Sequence, residues 1–325
     1  MLTYDFRLPP GPHTAEYAAL AERLGYRAVW CPEVPAFGHD IWITLARIAE
    51  RTTRLKFGPA VLIPSYRHPV AQASAIATVE QIAPGRLMVG FGTGFTGRAG
   101  MGQKALSLAA MRTHITQVKA LLRGEPVEID GGLAQIIASD GQLPARPIEV
   151  PIYMAGQGPK ARALAAEITD GLISLGGPAE GFATCLVSTN GTVLDDGEDV
   201  TSQRAATALR PIVALGYHKR HSTNPDSVKE LPNGAAWLAS VERVPAAERH
   251  LSVHRGHNLD VSNGHDQLVE VTAAAKQQTF TGTRAELRER LRQLEAGGAT
   301  GVIFGTSGAD VERELYAYAE VAGLR

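Results

Sequence analysis

The chain has 325 residues, a net charge of −1, 44% hydrophobic and 20% charged residues. That balance is ordinary for a folded globular protein and offers no basic stripe, which argues against a nucleic-acid or membrane surface. The two cysteines, Cys31 and Cys185, stand far apart without metal-like spacing, so no disulfide framework is expected and a reduced, cytoplasmic setting fits. The first residues, MLTYDFRLPPG, have no charged leader or apolar core, so no signal peptide is expected, and no apolar run approaches the ~20 residues of a membrane span.

Leu2 to Arg7 reads as a first strand, closed by Pro9-Pro10-Gly11. A helix follows from Thr14, expected as its N-cap, to Gly25, its stop. Ala28 to Cys31 is a second strand that ends at Pro32-Glu33, and Ile41 to Arg51 a second helix. Phe57 to Ile63 is an apolar strand ending at Pro64. The helix Val70 to Ile82 starts after Pro69 and stops before Pro84-Gly85. Leu87 to Phe91 is a strand that runs into Gly92-Thr93-Gly94. Both of these strands read as buried on two faces, as in a parallel sheet. A long helix is expected over Gln103 to Arg123, and a short β excursion over Pro126 to Ser139 with a Gly131-Gly132 turn. Pro151 to Ala155 is a strand, followed by the loop Gly156 to Lys160, a helix from Ala161 to Thr169 and a strand from Gly171 to Leu175.

From Gly176 to about Thr279 the rhythm breaks: Phe182 to Leu194 is strand-like, Gln203 to Tyr217 helical, and the rest polar and His-rich. Residues 176–280 read as an insertion and lid on a regular scaffold. The rhythm returns with a capping box at Thr283-Arg-Ala-Glu286, a helix to Ala296, a strand from Gly301 to Gly305 and a closing helix from Ala309 to Ala322. Strands alternating with helices, with strands at both extremes of the chain, predict a single (β/α)8 TIM barrel domain over residues 1–325. In such barrels the active site lies at the carboxyl ends of the strands, where Glu33, Pro64, Thr93, Gly156 and Gly305 fall.

A strand that ends in glycine offers bare backbone to a ligand, which places a cofactor over Gly92-Thr93. Gly156-Gln157-Gly158-Pro159-Lys160 joins a strand to a helix whose free amides suit a phosphate, or simply forms a tight turn. It does not match G-x-G-x-x-G, so a Rossmann reading is weaker. Glu33 is either a cofactor contact or a solvated loop carboxylate. His68 reads as a structural loop residue rather than an acid or base. Three of the ten histidines, His250, His254 and His257, fall within eight residues. Strand-like alternation would bring them to one pocket, as a substrate-facing lid or a structural cluster. Their spacing fits no usual metal pattern and supporting carboxylates are not evident, so no metal is expected.

Three motifs carry a resemblance. They are Ala60-Val-Leu-Ile-Pro64 with Arg67-His68-Pro69, Ala77-Thr78-Val-Glu80 leading to Gly85-Arg86-Leu-Met-Val-Gly90-Phe-Gly92-Thr-Gly94, and Gly158-Pro159-Lys160 with Ala165-Ala-Glu167 and Asp170-Gly171. As a set they resemble the bacterial luciferase-like superfamily of flavin- and deazaflavin-dependent oxidoreductases, in its methylenetetrahydromethanopterin-reductase-like branch. The resemblance implies a TIM barrel, a homodimer packed through helices beside the second and third strands, and a cis peptide at Ala60–Val61. Val61 would then press on the cofactor ring, while Glu33, Gly92, Thr93 and the Gly156–Lys160 loop line it. The implied cofactor is coenzyme F-420 (8-hydroxy-5-deazaflavin), giving hydride transfer to or from a small organic substrate. The alternative is FMN, giving a monooxygenase that activates oxygen. A non-catalytic flavin-binding barrel and a metal-dependent hydrolase stand as rivals. Two departures matter: Pro32-Glu33 stands where many deazaflavin users carry an Asp-His pair, and Phe95 where some carry a proton-donating glutamate. His254 and His257 are the expected substitutes for that donor.

Overall fold

The computed structural model describes residues 1–306 and 310–324. In chain order the elements begin with β1 (Thr3–Arg7), α1 (Thr14–Arg23), β2 (Ala28–Cys31), α2 (Ile41–Arg51), β3 (Lys56–Pro59), α3 (Pro69–Ile82), β4 (Val89–Phe91) and α4 (Phe95–Ala99). Next come α5 (Leu108–Arg123), β5 (Val127–Ile129), β6 (Gly132–Ala134), β7 (Ile152–Gly156), α6 (Pro159–Ile168), β8 (Gly171–Ser174), β9 (Cys185–Ser188) and β10 (Val193–Leu194). The chain finishes with α7 (Gln203–Thr223), α8 (Gly234–Glu242), α9 (Arg249–Val253), α10 (Ala275–Gln278), β11 (Gly282–Thr283), α11 (Arg284–Ala296), β12 (Gly301–Gly305) and α12 (Val311–Ala322). It divides into two compact units: Met1–Phe95, Ala105–Ser188 and Leu294–Ile303 form the first, and Thr96–Lys104, Thr189–Gln293 and Phe304–Arg325 the second.

The first unit carries the barrel. Eight parallel strands follow one another in the order β3-β2-β1-β12-β9-β8-β7-β4. Parallel bridges at Phe57–Leu87 and Leu62–Phe91 join the two end strands, with Met88 N–H donating to Phe57 O at 2.9 Å and Leu62 N–H to Gly90 O at 2.7 Å. The predicted TIM barrel is therefore the observed architecture. Every residue of β2 and β8 is buried, because helices cover one face and the interior filling covers the other. That filling is Ala28, Trp30, Met88, Tyr153, Ile173, Leu186 and Ile303. Each buried aliphatic side chain in it contributes roughly 1.5–3 kcal/mol. Asp5 is fully buried, and its charge is answered by Arg27 Nε at 2.8 Å and Trp30 Nε1 at 2.8 Å. An uncompensated carboxylate there would be costly.

Local boundaries depart from expectation at four places. Thr14 is not the N-cap of α1: His13 holds that position, and the Thr14 hydroxyl donates back to Pro9 O at 2.7 Å. β3 ends at Pro59 instead of Ile63. α5 starts at Leu108 rather than Gln103, because the Ser107 hydroxyl caps it by accepting from Ala110 N–H at 3.1 Å. α6 begins two residues early, at Pro159.

In the second unit, β10 and β11 pair in parallel. One apolar cluster gathers Tyr217, Val228, Trp237, Leu238, Val241, Val253 and Val269; another gathers Leu194, Val200, Leu209, Ile212 and Val271. The capping box forms as predicted, with Thr283 N–H donating to Glu286 Oε2 at 2.8 Å and Glu286 N–H to the Thr283 hydroxyl at 3.4 Å. The expected first residue of the closing helix, Ala309, lies outside the described residues, and α12 begins at Val311 behind the Asp310 side chain. The irregular stretch starts later than residue 176, because β9 pairs with β8 and β12 in the barrel. No helix among the described residues is long and apolar enough to cross a membrane.

Candidate active site

The carboxyl ends of the barrel strands are where the predicted cofactor residues gather. β3 stops at Pro59, and the next peptide bond, Ala60–Val61, is cis. Ala60 and Val61 are half-buried and pack on the apolar filling of the barrel. Ala60 N–H donates to Cys31 O at 2.8 Å, and Val61 O accepts from Glu33 N–H at 3.4 Å. The segment is thereby bonded to the end of β2. On its other side stands Gly92. A Cβ at that position would sit 2.4 Å from Val61 Cγ2, so only glycine lets the ends of β3 and β4 approach this closely. Thr93 follows, half-buried, its carbonyl accepting from Leu106 N–H at 2.9 Å.

Glu33 is nearly fully buried, not a solvated loop carboxylate. Its Oε2 accepts from Ile63 N–H at 2.7 Å, and Oε1 lies 3.9 Å from Arg67. Arg67 itself is drawn to Asp40, the residue that caps α2 through Trp42 N–H and Ile43 N–H. Burial pushes the Glu33 carboxyl up to about 7, against the pull of the Ile63 amide and of Arg67; the Asp40 charge adds to the rise. A group that titrates there can both give and take a proton near neutrality.

The loop after β7 is built to leave backbone bare. Gly156 is packed so tightly that a Cβ would meet Ala161 Cβ at 2.8 Å. Gln157 pins the loop by donating to Leu175 O at 2.7 Å. Gly158 is the N-cap of α6 and provides no side-chain cap, and a Cβ there would meet nothing within 4 Å. Pro159 takes the first helical position, and Lys160 is exposed beside it. Free first-turn amides, the positive end of a helix dipole and one lysine make a place for an anionic group.

Sequence reading missed Arg7 and Ser188. They end β1 and β9, and Arg7 donates to the Ser188 hydroxyl at 3.3 Å. Counting strand ends would have found Arg7 just before Leu8-Pro9, but Ser188 was hidden in a stretch assigned to the insertion. His68 caps α3, its Nδ1 accepting from Val70 N–H at 3.3 Å, which matches the structural role expected of it. Phe95 opens α4 and is half exposed, so no acid stands after Gly92-Thr93-Gly94.

The histidines belong to the second unit, and they are not strand residues. α9 spans Arg249–Val253, and His254 and His257 meet across the turn that follows, His257 N–H donating to His254 O at 3.2 Å. His250 turns away toward Gly102, where a Cβ would meet its Nε2 at 3.3 Å. His254 Nδ1 and His257 Nδ1 lie 2.9 Å apart, and His218 of α7, which sequence reading did not single out, brings its Nδ1 within 3.0 Å of His257 Nδ1. Burial lowers His254 to about 4 and His257 well below its ordinary value, with the neighbouring His218 adding to both shifts. Neither side chain is therefore a charged imidazolium at neutral pH.

The sequence profile of a family described as luciferase-like monooxygenase matches residues 7–301. A 5,10-methylenetetrahydromethanopterin reductase from Methanolobus tindarius is 32% identical over 163 residues, which is 49% of this chain and 48% of that protein. The chain thus aligns with about half the length of that relative. An F-420-dependent glucose-6-phosphate dehydrogenase from Amycolatopsis mediterranei is 25% identical over 94% of this chain and 91% of its own. Among solved structures, the coenzyme F-420-dependent tetrahydromethanopterin reductase from Methanopyrus kandleri superposes with a TM-score of 0.70 at 19% identity, covering 100% of this chain and 99% of the other.

Proposed function

The chain belongs to the luciferase-like monooxygenase family, and from that premise we propose that it is an F-420-dependent oxidoreductase moving a hydride to or from a small organic substrate. The observation that carries the reading is the wall at the ends of β3 and β4. There Val61 lies across the barrel's apolar filling, and Gly92 clears the space beside it. The deazaflavin is preferred over FMN because a relative that aligns in sequence with nearly the whole chain is named for F-420. The residues present fit such a group: the uncapped start of α6 and the open side of Gly158 leave amides available to its phosphate.

Ala60, Val61, Gly92 and Thr93 would line the ring, and Gly156, Gln157, Gly158, Pro159 and Lys160 would hold the phosphate end. When bound, a deazaflavin supplies a two-electron hydride carrier that reacts poorly with oxygen. Ala60 and Val61 keep water from one side of the site. Glu33, titrating near 7, holds or releases the proton that accompanies hydride movement. Glu33 takes that role in preference to His254 and His257, which are buried, neutral and turned onto one another.

An FMN-dependent monooxygenase is the second reading, supported by the family's own description. Titration of the purified protein with oxidised F-420 and with oxidised FMN, followed by fluorescence quenching, separates the two. Saturable quenching by F-420 is expected; tight FMN binding without response to F-420 would sink the proposal. The reading includes a homodimer through α2 and α3, whose Ile43 and Ile82 are 68% and 42% exposed. Light scattering on a size-exclusion column checks this, with a monomer mass for the wild-type chain counting against it.

A further inference from the structure

We propose that His218, His254 and His257 form a three-imidazole zinc site in the second unit, with Asp266 orienting His218. The ligand atoms of the three side chains all lie within 4.8 Å of one another. His257 Nδ1 is 3.0 Å from His218 Nδ1 and 2.9 Å from His254 Nδ1. These separations are a few tenths of an ångström short of the about 3.3 Å between ligand nitrogens of a tetrahedral zinc ion.

The three facing Nδ1 atoms cannot all be satisfied at full strength by hydrogen bonds among themselves. His218 Nε2 faces both carboxylate oxygens of Asp266 at 3.0 Å, so Nε2 carries a proton and Nδ1 is the atom turned toward His257. His257 Nδ1 faces both of the other Nδ1 atoms, and its single in-plane N–H or lone pair cannot serve the two at full strength. A cation accepting all three lone pairs satisfies every contact at once.

The supporting shell is the kind that zinc-bound imidazole requires. Asp266 is 1% exposed. It accepts from Trp237 Nε1 at 3.0 Å and Asn263 Nδ2 at 2.7 Å, and its own N–H donates to Asn263 Oδ1 at 2.8 Å. The carboxylate is therefore fixed before any ion arrives, and it fixes His218 in turn. The three ligands are themselves buried. A three-imidazole zinc site would take a water or another oxygen ligand in its fourth position. Neutral imidazoles select a borderline ion such as Zn²⁺ over Mg²⁺ or Ca²⁺. Such an ion would staple α7 to the turn-rich stretch from His254 to Asp266. This site is independent of the cofactor reading above.

The test uses the full-length, untagged chain grown with zinc and analysed by plasma mass spectrometry. It is then stripped with a chelator and refilled with Co²⁺, whose visible spectrum reports tetrahedral nitrogen ligation. Wild type and His13→Ala, an exposed histidine elsewhere, are expected to hold an equimolar amount of zinc. His257→Ala is expected to lose it, and Asp266→Asn to weaken it by roughly 10–100-fold. Should His257→Ala not fold, the wild-type stoichiometry and cobalt spectrum decide alone. Substoichiometric metal in the refilled wild type, no tetrahedral cobalt band, or equal zinc in a folded His257→Ala would overturn the site and leave a hydrogen-bonded cluster only.

Discussion

In the proposed function, the proton chemistry falls to a single carboxyl, Glu33. Burial raises it from an ordinary value of 4.5 to about 7, so the folded chain binds its proton more tightly than the unfolded chain does. Stability from this group is therefore greatest at low pH, falls as pH rises through the window 4.5–7, and stays low above it. The loss is on the order of 3 kcal/mol at pH 8. Glu33→Gln keeps an oxygen for Ile63 N–H and removes the charge. Its melting temperature is expected to exceed that of the wild type at pH 8 and to match it near pH 4.5. An infrared carboxyl band that disappears above about pH 7 in the wild type should be missing from the variant. A Glu33 band that vanishes near pH 4.5 would place the carboxylate in water after all. At Gly92, any Cβ meets Val61 Cγ2 at 2.4 Å. Gly92→Ala is expected to push the wall into the cofactor space and weaken cofactor binding at least about 10-fold by fluorescence titration, with little change in the barrel's circular dichroism.

At the scale of elements, the barrel was legible because buried parallel strands are short apolar runs punctuated by Pro and Gly. Ala28–Cys31 and Gly171–Ser174 are of that kind. Boundaries blurred where side chains decided them late. The Ser107 hydroxyl starts α5, which composition alone extended back to Gln103. α4, the five residues Phe95–Ala99 with Gly97 inside, is too short to show a helical period. The cis bond at Ala60–Val61 was legible through the family motif, whereas the glycine that follows β4 was legible from spacing. The histidine triad was not, because His218 sits 36 positions before His254 and its carboxylate partner Asp266 lies 48 positions after it. The apolar cluster of Tyr217, Trp237, Val253 and Val269 brings them together. A simpler element-level consequence follows from the capping box of α11. Thr283→Ala removes the acceptor for Glu286 N–H and should cost ~1 kcal/mol, read as a lowered urea midpoint at unchanged slope. For α6, Lys160→Ala should reduce cofactor affinity several-fold and flatten its dependence on salt, as expected of an exposed charge beside a phosphate.

For the molecule as a whole, the two units meet acid differently. In the second unit, loss of solvation pushes the Glu198 carboxyl up, but the Arg204 guanidinium, the Asp195 amide and the Ser202 hydroxyl together hold it at about 2. Its folded value is below the unfolded one, so the stability it contributes is present above pH 4.5 and is lost as pH falls toward 2. Glu33 in the first unit acts in the opposite sense between pH 7 and 4.5. Melting curves recorded by circular dichroism should therefore show the wild-type chain losing more stability between pH 4.5 and 3 than Glu198→Gln does. Equal losses would mean that the Arg204 pairing is solvent-screened and contributes nothing.

The contact between Val61 and Gly92 also constrains how this sequence can drift. Position 92 is not free to change while Val61 stays, since every side chain there is refused by the valine opposite. Shortening Val61 first would remove the Cγ atoms that refuse it. Gly92→Ala, harmful alone, is then expected to cost markedly less in a Val61→Ala background, where the nearest atom of residue 61 is a Cβ at 3.2 Å, so that the double-mutant cycle returns a coupling between two residues 31 positions apart. The order of change is therefore fixed: position 61 must shrink before position 92 can grow.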